Sequence, residues 1–106
     1  MAYRVRITEL ALHDVEGYLS YIEDVNKQPE AAEEWLRGLT DAIHSLRDRP
    51  RRCPIVPEAT EFEAELRHLI YYSHRIIFRV DPRDTEVTVL RIYHGSRKQL
   101  EIQDVL

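Results

Sequence analysis

The chain of 106 residues is short of cysteine, glycine and lysine, and each shortage excludes something. A single cysteine, Cys53, admits no internal disulfide, so stability must come from a packed core. That suits a reducing compartment. The three glycines sit singly, and no Gly/Ser-rich stretch offers a flexible linker, so one domain over residues 1–106 is expected. No apolar run approaches the roughly 18 residues that span a bilayer. Met1 to Ile7 alternates apolar and basic residues instead of forming the apolar core of a signal peptide, which reads as a cytoplasmic protein. The five histidines show no metal-ligand spacing, and neither metal nor cofactor is expected.

What is present is unevenly distributed. The formal net charge is −4. Residues 1–46 carry four basic and nine acidic residues, whereas residues 66–98 carry seven basic and three acidic. An acidic protein gains little non-specific steering toward nucleic acid, so any contact with a polyanion must come from a local patch. The basic residues of that second segment are arginines except for Lys98.

Periodicity divides the chain into elements. Tyr3-Arg4-Val5-Arg6-Ile7 alternates strictly and predicts a short strand with Tyr3, Val5 and Ile7 toward a core. Thr8 can cap the following helix, whose apolar stripe is Ala11, Val15, Tyr18 and Ile22, broadened by Leu12 and Leu19. Gly17 lies inside it, either for close helix approach or as a tolerated glycine. After a break at residues 26–28, Pro29 suits the first turn of a second helix. Its buried stripe is Ala32, Trp35, Leu36, Leu39, Ile43 and Leu46, and Pro50 closes it. The short connection implies an antiparallel helical hairpin. Residues 50–65 form a crossing loop with Pro50, Pro54, Pro57 and an acidic run, with a helical turn around Glu61 to Glu65. Strands are predicted over 66–72, 74–80 and 86–94, with a turn at Asp81-Pro82-Arg83-Asp84. The order β-α-α-β-β-β predicts an α+β fold, with the helical hairpin on one face of a small antiparallel sheet.

Sorting side chains by strand face sends Ile76, Phe78, Val80, Leu90, Ile92, Leu66, His68 and Ile70 inward. The open face then gathers Arg4, Arg6, Arg67, Arg75, Arg79 and Arg91, with Leu69, Tyr71, Ile77 and Tyr93. His94 falls on the core side at a strand end. A sheet covered on one side ordinarily shows water a polar face. Like charges on adjacent strands destabilise, however, and arginine suits bidentate recognition of carboxylate or phosphate. The exposed apolar residues among them favour a partner that covers this face.

At these residues the chain resembles a known family. Glu65-Leu66-Arg67-His68-Leu69, then His74-Arg75-Ile76-Ile77-Phe78-Arg79-Val80, then Val87 to Arg97 with its Arg91-Ile92-Tyr93-His94-Gly95-Ser96-Arg97 ending, resemble the C-terminal half of ParE/RelE toxins, the ParE-like branch above all. Arg49-Pro50 and Val56-Pro57-Glu58 are similar to a loop of that branch, although Cys53 stands where its members often have glycine. The resemblance implies a toxin of a bacterial type II toxin–antitoxin module, held inactive as a hetero-oligomer with a cognate antitoxin. It implies antitoxin binding on the open face, through the ten residues gathered there. It also implies one of two activities: ParE-like inhibition of DNA gyrase by protein contact, or RelE-like cleavage of mRNA in the ribosome. The ribonuclease would need cations for the transition state and a proton donor and acceptor, for which Arg75, Arg67, Tyr93 and His94 are the candidates, with Glu65 as a base. The acidic net charge and scarcity of lysine favour gyrase over a ribosome-bound enzyme, with an inactive interaction module as the remaining alternative.

Overall fold

A computed structural model describes residues 2–25, 27–57 and 65–95. The acidic run before Glu65, with the helical turn expected there, and everything after Gly95 lie outside the described residues. Strand β1 (Arg4–Ile7) leads into helix α1 (Glu9–Ser20), which continues through a wider π-type turn at Tyr21–Val25. Helix α2 (Pro29–His44) follows, then two short 3₁₀ turns at Ser45–Arg47 and Pro50–Arg52. Strands β2 (Leu66–Tyr71), β3 (His74–Asp81) and β4 (Glu86–His94) complete the fold.

Local chemistry accounts for these boundaries. Thr8 has extended backbone geometry, and its hydroxyl accepts from the Ala11 N–H at 3.1 Å, which starts α1. Pro29 occupies the first turn of α2. In the β3–β4 turn the Asp81 carboxylate accepts from the Arg83 and Asp84 amides, the local pairing that makes Asp a turn residue. At Gly17 an added Cβ would meet nothing within 4 Å, so close helix approach does not explain that glycine. Gly38 is different: a Cβ there would run into the Tyr71 hydroxyl, which donates to the Trp35 carbonyl at 2.9 Å. The glycine lets β2 dock against α2.

The sheet order is β1-β4-β3-β2. β2, β3 and β4 are antiparallel, as expected, but β1 runs parallel to β4, with Val5 opposite Val87 and Ile7 opposite Val89. The sheet is therefore mixed. The helical hairpin between β1 and the meander returns the chain on one face and leaves β4 in the centre.

The main core lies between hairpin and sheet. Ala11, Leu39, Ile43 and Leu46 meet Ile76, Phe78, Val80, Val87, Val89 and Ile92 there. Each of these side chains contributes roughly 1.5–3 kcal/mol when fully buried, less for alanine, so this layer dominates stability. Of the predicted helical stripes, Leu12 and Leu36 lie outside this core, 45% and 38% exposed.

Candidate functional site

Two corrections reshape the expected arginine face. The first concerns β2. Its register sets Leu69 opposite Ile76 and Tyr71 opposite His74, and both side chains pack on the helix-side core. Arg67, opposite Phe78, shares the helix side with them, and Leu66, His68 and Ile70 point to the other face, the reverse of the expectation. β2 carries apolar residues on both faces, so alternation alone does not orient it, and a one-residue shift exchanges the faces. The second concerns β4. Ile77 pairs with Arg91 but Phe78 pairs with Val89, so Leu90 is an extra residue in a β-bulge. The bulge turns Leu90 out of the helix-side core while Ile92 stays in it.

The open face is not bare. Val56, Leu66, Ile77, Leu90 and Tyr93 form a second buried cluster on it. The segment 54–56 runs along the outer edge of β2, where the Val56 N–H donates to the Leu66 carbonyl and the His68 N–H to the Pro54 carbonyl. Ile77 is 0% exposed and Tyr93 3%, so neither presents a surface to a partner. Together with Leu69 and Tyr71, they leave the expected exposed set.

The six arginines separate into three settings. The Arg91 guanidinium donates from Nε and Nη2 to the two carboxylate oxygens of Asp14, both at 2.8 Å, and lies 4.6 Å over the Tyr93 ring. Asp14 also accepts from the Ile92 backbone N–H at 2.9 Å. It thereby caps the stretch of β4 edge beyond the end of β1. Arg67 donates to Glu65 at 2.9 Å and to the Cys53 carbonyl at 2.6 Å, which anchors the crossing loop to β2. Arg51 reaches the same carboxylate, and its hydrogen bond holds Glu65 below the usual carboxylate range. Burial pushes the Cys53 thiol up and keeps it protonated.

The remaining four stay accessible. Arg4 and Arg6 both contact Glu86, at 3.2 and 3.3 Å, with side chains 75% and 67% exposed. Arg75 and Arg79 are half-buried on β3. The Arg75 Nε donates to His68 Nδ1 at 3.1 Å.

The candidates for catalysis are thus dispersed. Arg75 is on the open face and Tyr93 is buried beside it. Arg67 is tied into the loop. His94 is paired across the strands with His74, on the helix side. Glu65, bound by two guanidiniums, is a weak base.

Sequence reasoning passed over a second concavity, on the helix side at the β2–β3 turn. Tyr18, Trp35, Gly38, Tyr71, Tyr72 and Glu34 line a cavity of about 460 Å³. A neighbouring cleft of about 350 Å³ holds His13, Tyr21, His74 and His94 and shares Tyr18 with the first. His74 is buried edge-on against Tyr18 and Trp35, and its Nδ1 has no hydrogen-bond partner. Burial, then the nearby His94, holds its imidazole below the usual histidine range, and so neutral. Helix-stripe positions Tyr18 and Trp35 read as core in the sequence, and only the fold puts Tyr71 and Tyr72 beside them. Among the described residues, no group of three or more His, Cys, Asp or Glu is placed to hold a metal, and no helix is long and apolar enough to cross a membrane.

Comparison with solved structures finds the same architecture. A chain of the chromosomal ParDE TA system from P. aeruginosa superposes with a TM-score of 0.66 at 19% identity, covering 88% of this chain and 96% of that one. A chain of the toxin-antitoxin complex RelBE2 from Mycobacterium tuberculosis gives 0.60 at 22% identity, covering 89% and 99%. The archaeal RelE-RelB complex from Pyrococcus horikoshii OT3 gives 0.52 at 17%, covering 92% and 100%. No curated protein matches the sequence. The family model for the ParE toxin of the type II toxin-antitoxin system parDE matches residues 5–99, and the chain belongs to that family.

Proposed function

We propose that this chain is the growth-arresting component of a type II toxin–antitoxin module in the cytoplasm, neutralised by a cognate antitoxin, and that it acts on DNA gyrase by protein contact and not by catalysis. The observation that carries this reading is the dispersal of the catalytic candidates. Arg75 and Tyr93 are cross-strand neighbours on the open face, but Tyr93 is buried there, His94 lies on the helix side and Arg67 is tied into the loop anchor. RNA cleavage through the 2′-hydroxyl needs a base, an acid and a cation within reach of one phosphate. Inhibition by contact needs only a surface. An antitoxin segment lying on the open face would meet Arg4, Arg6, Arg75 and Arg79, which are accessible to carboxylates, while Arg91 fixes the β4 edge and Arg67, on the helix side of β2 opposite Phe78, fixes the loop.

A ribonuclease is the second reading, favoured by one contact. Arg75 and His68 lie side by side on the open face, a cation beside a proton-transfer group. The experiment sets the readings against each other. Purified chain should block supercoiling by gyrase and accumulate cleaved-DNA complexes, with relief on adding antitoxin. It should leave mRNA on programmed ribosomes intact. Cleaved mRNA with unaffected gyrase would reverse the assignment. Absence of growth arrest on expression alone would leave only an interaction module.

A further inference from the structure

We infer that the aromatic cavity between α1, α2 and the β2–β3 turn is a binding site for the guanidinium group of an arginine in a basic peptide segment of a partner protein. The walls are rings at different inclinations. Trp35 lies 4.7 Å from Tyr18 and 6.1 Å from Tyr71, with interplanar angles of 48° and 57°. Tyr72 stands nearly perpendicular to Tyr71 at 4.8 Å. A planar cation entering here meets π faces from more than one side, the geometry that attracts cations. The cavity, at about 460 Å³, is larger than one guanidinium and admits the side-chain stem as well.

Charge selects the occupant. Glu34 lines the cavity, and burial, then the neighbouring Tyr72 and the carboxylates of Asp41 and Glu34, push the Tyr71 phenol above its usual range. The first 46 residues carry nine acidic side chains against four basic ones, so the helical hairpin that forms two walls is negative. An anionic ligand, nucleotide or acidic peptide, is repelled. A guanidinium can stack on a ring while donating to Glu34, a pairing for which its flat fork suits it better than an ammonium.

Exposure fits a ligand site more than a core. Tyr72 is 81% exposed, although its backbone holds the left-handed region with φ of 52°. That conformation is uncommon for a bulky residue and persists only where surroundings impose it. Here it stands the ring at the cavity mouth. On the far side of Tyr18 and Trp35 lies the neutral, unpartnered Nδ1 of His74, so no fixed cation competes from beneath. This site sits on the opposite side of the sheet from the arginine face, and its acidic charge suits a partner segment of the opposite kind from the acidic antitoxin segment proposed there.

Trp35 is the single tryptophan of the chain, so its fluorescence reports directly on occupancy. The probe is the blocked peptide Gly-Arg-Arg-Gly, titrated into the full chain, with Gly-Gln-Gln-Gly and Gly-Lys-Lys-Gly as comparisons. The expected result is a saturable change in Trp35 emission with the arginine peptide, weaker binding of the lysine peptide, and no change with glutamine. Glu34→Gln and Tyr72→Ala should each weaken binding by about fivefold or more, of the order expected of one cation–π or charge contact. Both residues are exposed, so circular dichroism melts should stay close to the parent. Glu9→Gln, outside the cavity lining, should bind as the parent does. Equal response to the glutamine peptide, or undiminished binding by both variants, overturns the site. So does an equal loss with Glu9→Gln, which would show general attraction to an acidic surface. None of these outcomes depends on the gyrase assay.

Discussion

The two faces of the sheet use the same residue types in opposite ways. On the helix side, apolar residues of both hairpin helices close over β3 and β4, and where α1 meets the β4 edge the open-face Arg91 is desolvated and doubly bonded to Asp14. On the open face, Arg4 and Arg6 share Glu86 in near-full contact with water. Distances differ only by some tenths of an ångström, but the surroundings differ greatly. A pair in water gains little because solvent screens the attraction and the side chains lose freedom. A desolvated pair matters because removing Asp14 takes a bidentate carboxylate from a buried guanidinium and leaves the Ile92 N–H without its acceptor.

That contrast can be broken most severely at Asp14. Asp14→Ala should cost about 3–5 kcal/mol, the range for removing one partner of a buried pair, and lower the thermal midpoint by many degrees. Glu86→Gln should cost less than about 1 kcal/mol. Chemical denaturation of both variants measures the difference. Similar losses would show that the desolvated and the solvent-exposed ion pairs are not energetically distinct.

The Asp14–Arg91 pair was invisible in the sequence for a physical reason. The residues are 77 positions apart, and Asp14 sits beside the apolar stripe of α1 as one acid among many. The elements themselves were legible, because Thr8, Pro29 and the Asp81 turn act locally and periodicity marks the buried stripes. Face assignment succeeded on β3, where Ile76, Phe78 and Val80 alternate against Arg75 and Arg79. It failed on β2, where both faces are apolar, and at Leu90 in the β4 bulge, which no local signal announces. Ile77 showed the cost of assuming an open face: a loop from elsewhere in the chain covers it. The aromatic cavity was missed for the same reason as the ion pair, since Trp35 and Tyr72 meet only in three dimensions.

Acidification sharpens the comparison by testing each side in its own pH window. His74, on the helix side, has its folded-state value depressed below the ordinary 6.5. The unfolded chain therefore takes up a proton first as pH falls, and stability declines from about neutrality down to the folded-state value. Glu65, which anchors the loop of the open face, is also depressed below its ordinary 4.5, by the hydrogen bond from Arg51 first. Its contribution is present above that ordinary value and is lost as pH falls through the lower, folded one. Thermal midpoints should thus fall in two separate steps. His74→Phe should flatten the upper step, below neutrality, and Arg51→Gln should reduce the one at lower pH. An unchanged upper step in His74→Phe would assign it to another histidine.

The smallest expected effect is at Gly17, on the solvent-facing rim of α1, and its sign is opposite. A glycine within a helix costs up to about 1 kcal/mol relative to alanine, because the unfolded chain loses more freedom on folding. The open space around Gly17 means that the added methyl group meets no obstacle. Gly17→Ala should therefore raise stability by about 0.5–1 kcal/mol, seen as a higher denaturation midpoint at unchanged slope. Gly38→Ala is the matched control on the packed side, where the methyl group would displace the Tyr71 hydroxyl from the Trp35 carbonyl and lower stability. A gain at both positions would mean that Tyr71 yields freely, and that the helix-side packing is looser at the β2 end than its contacts imply.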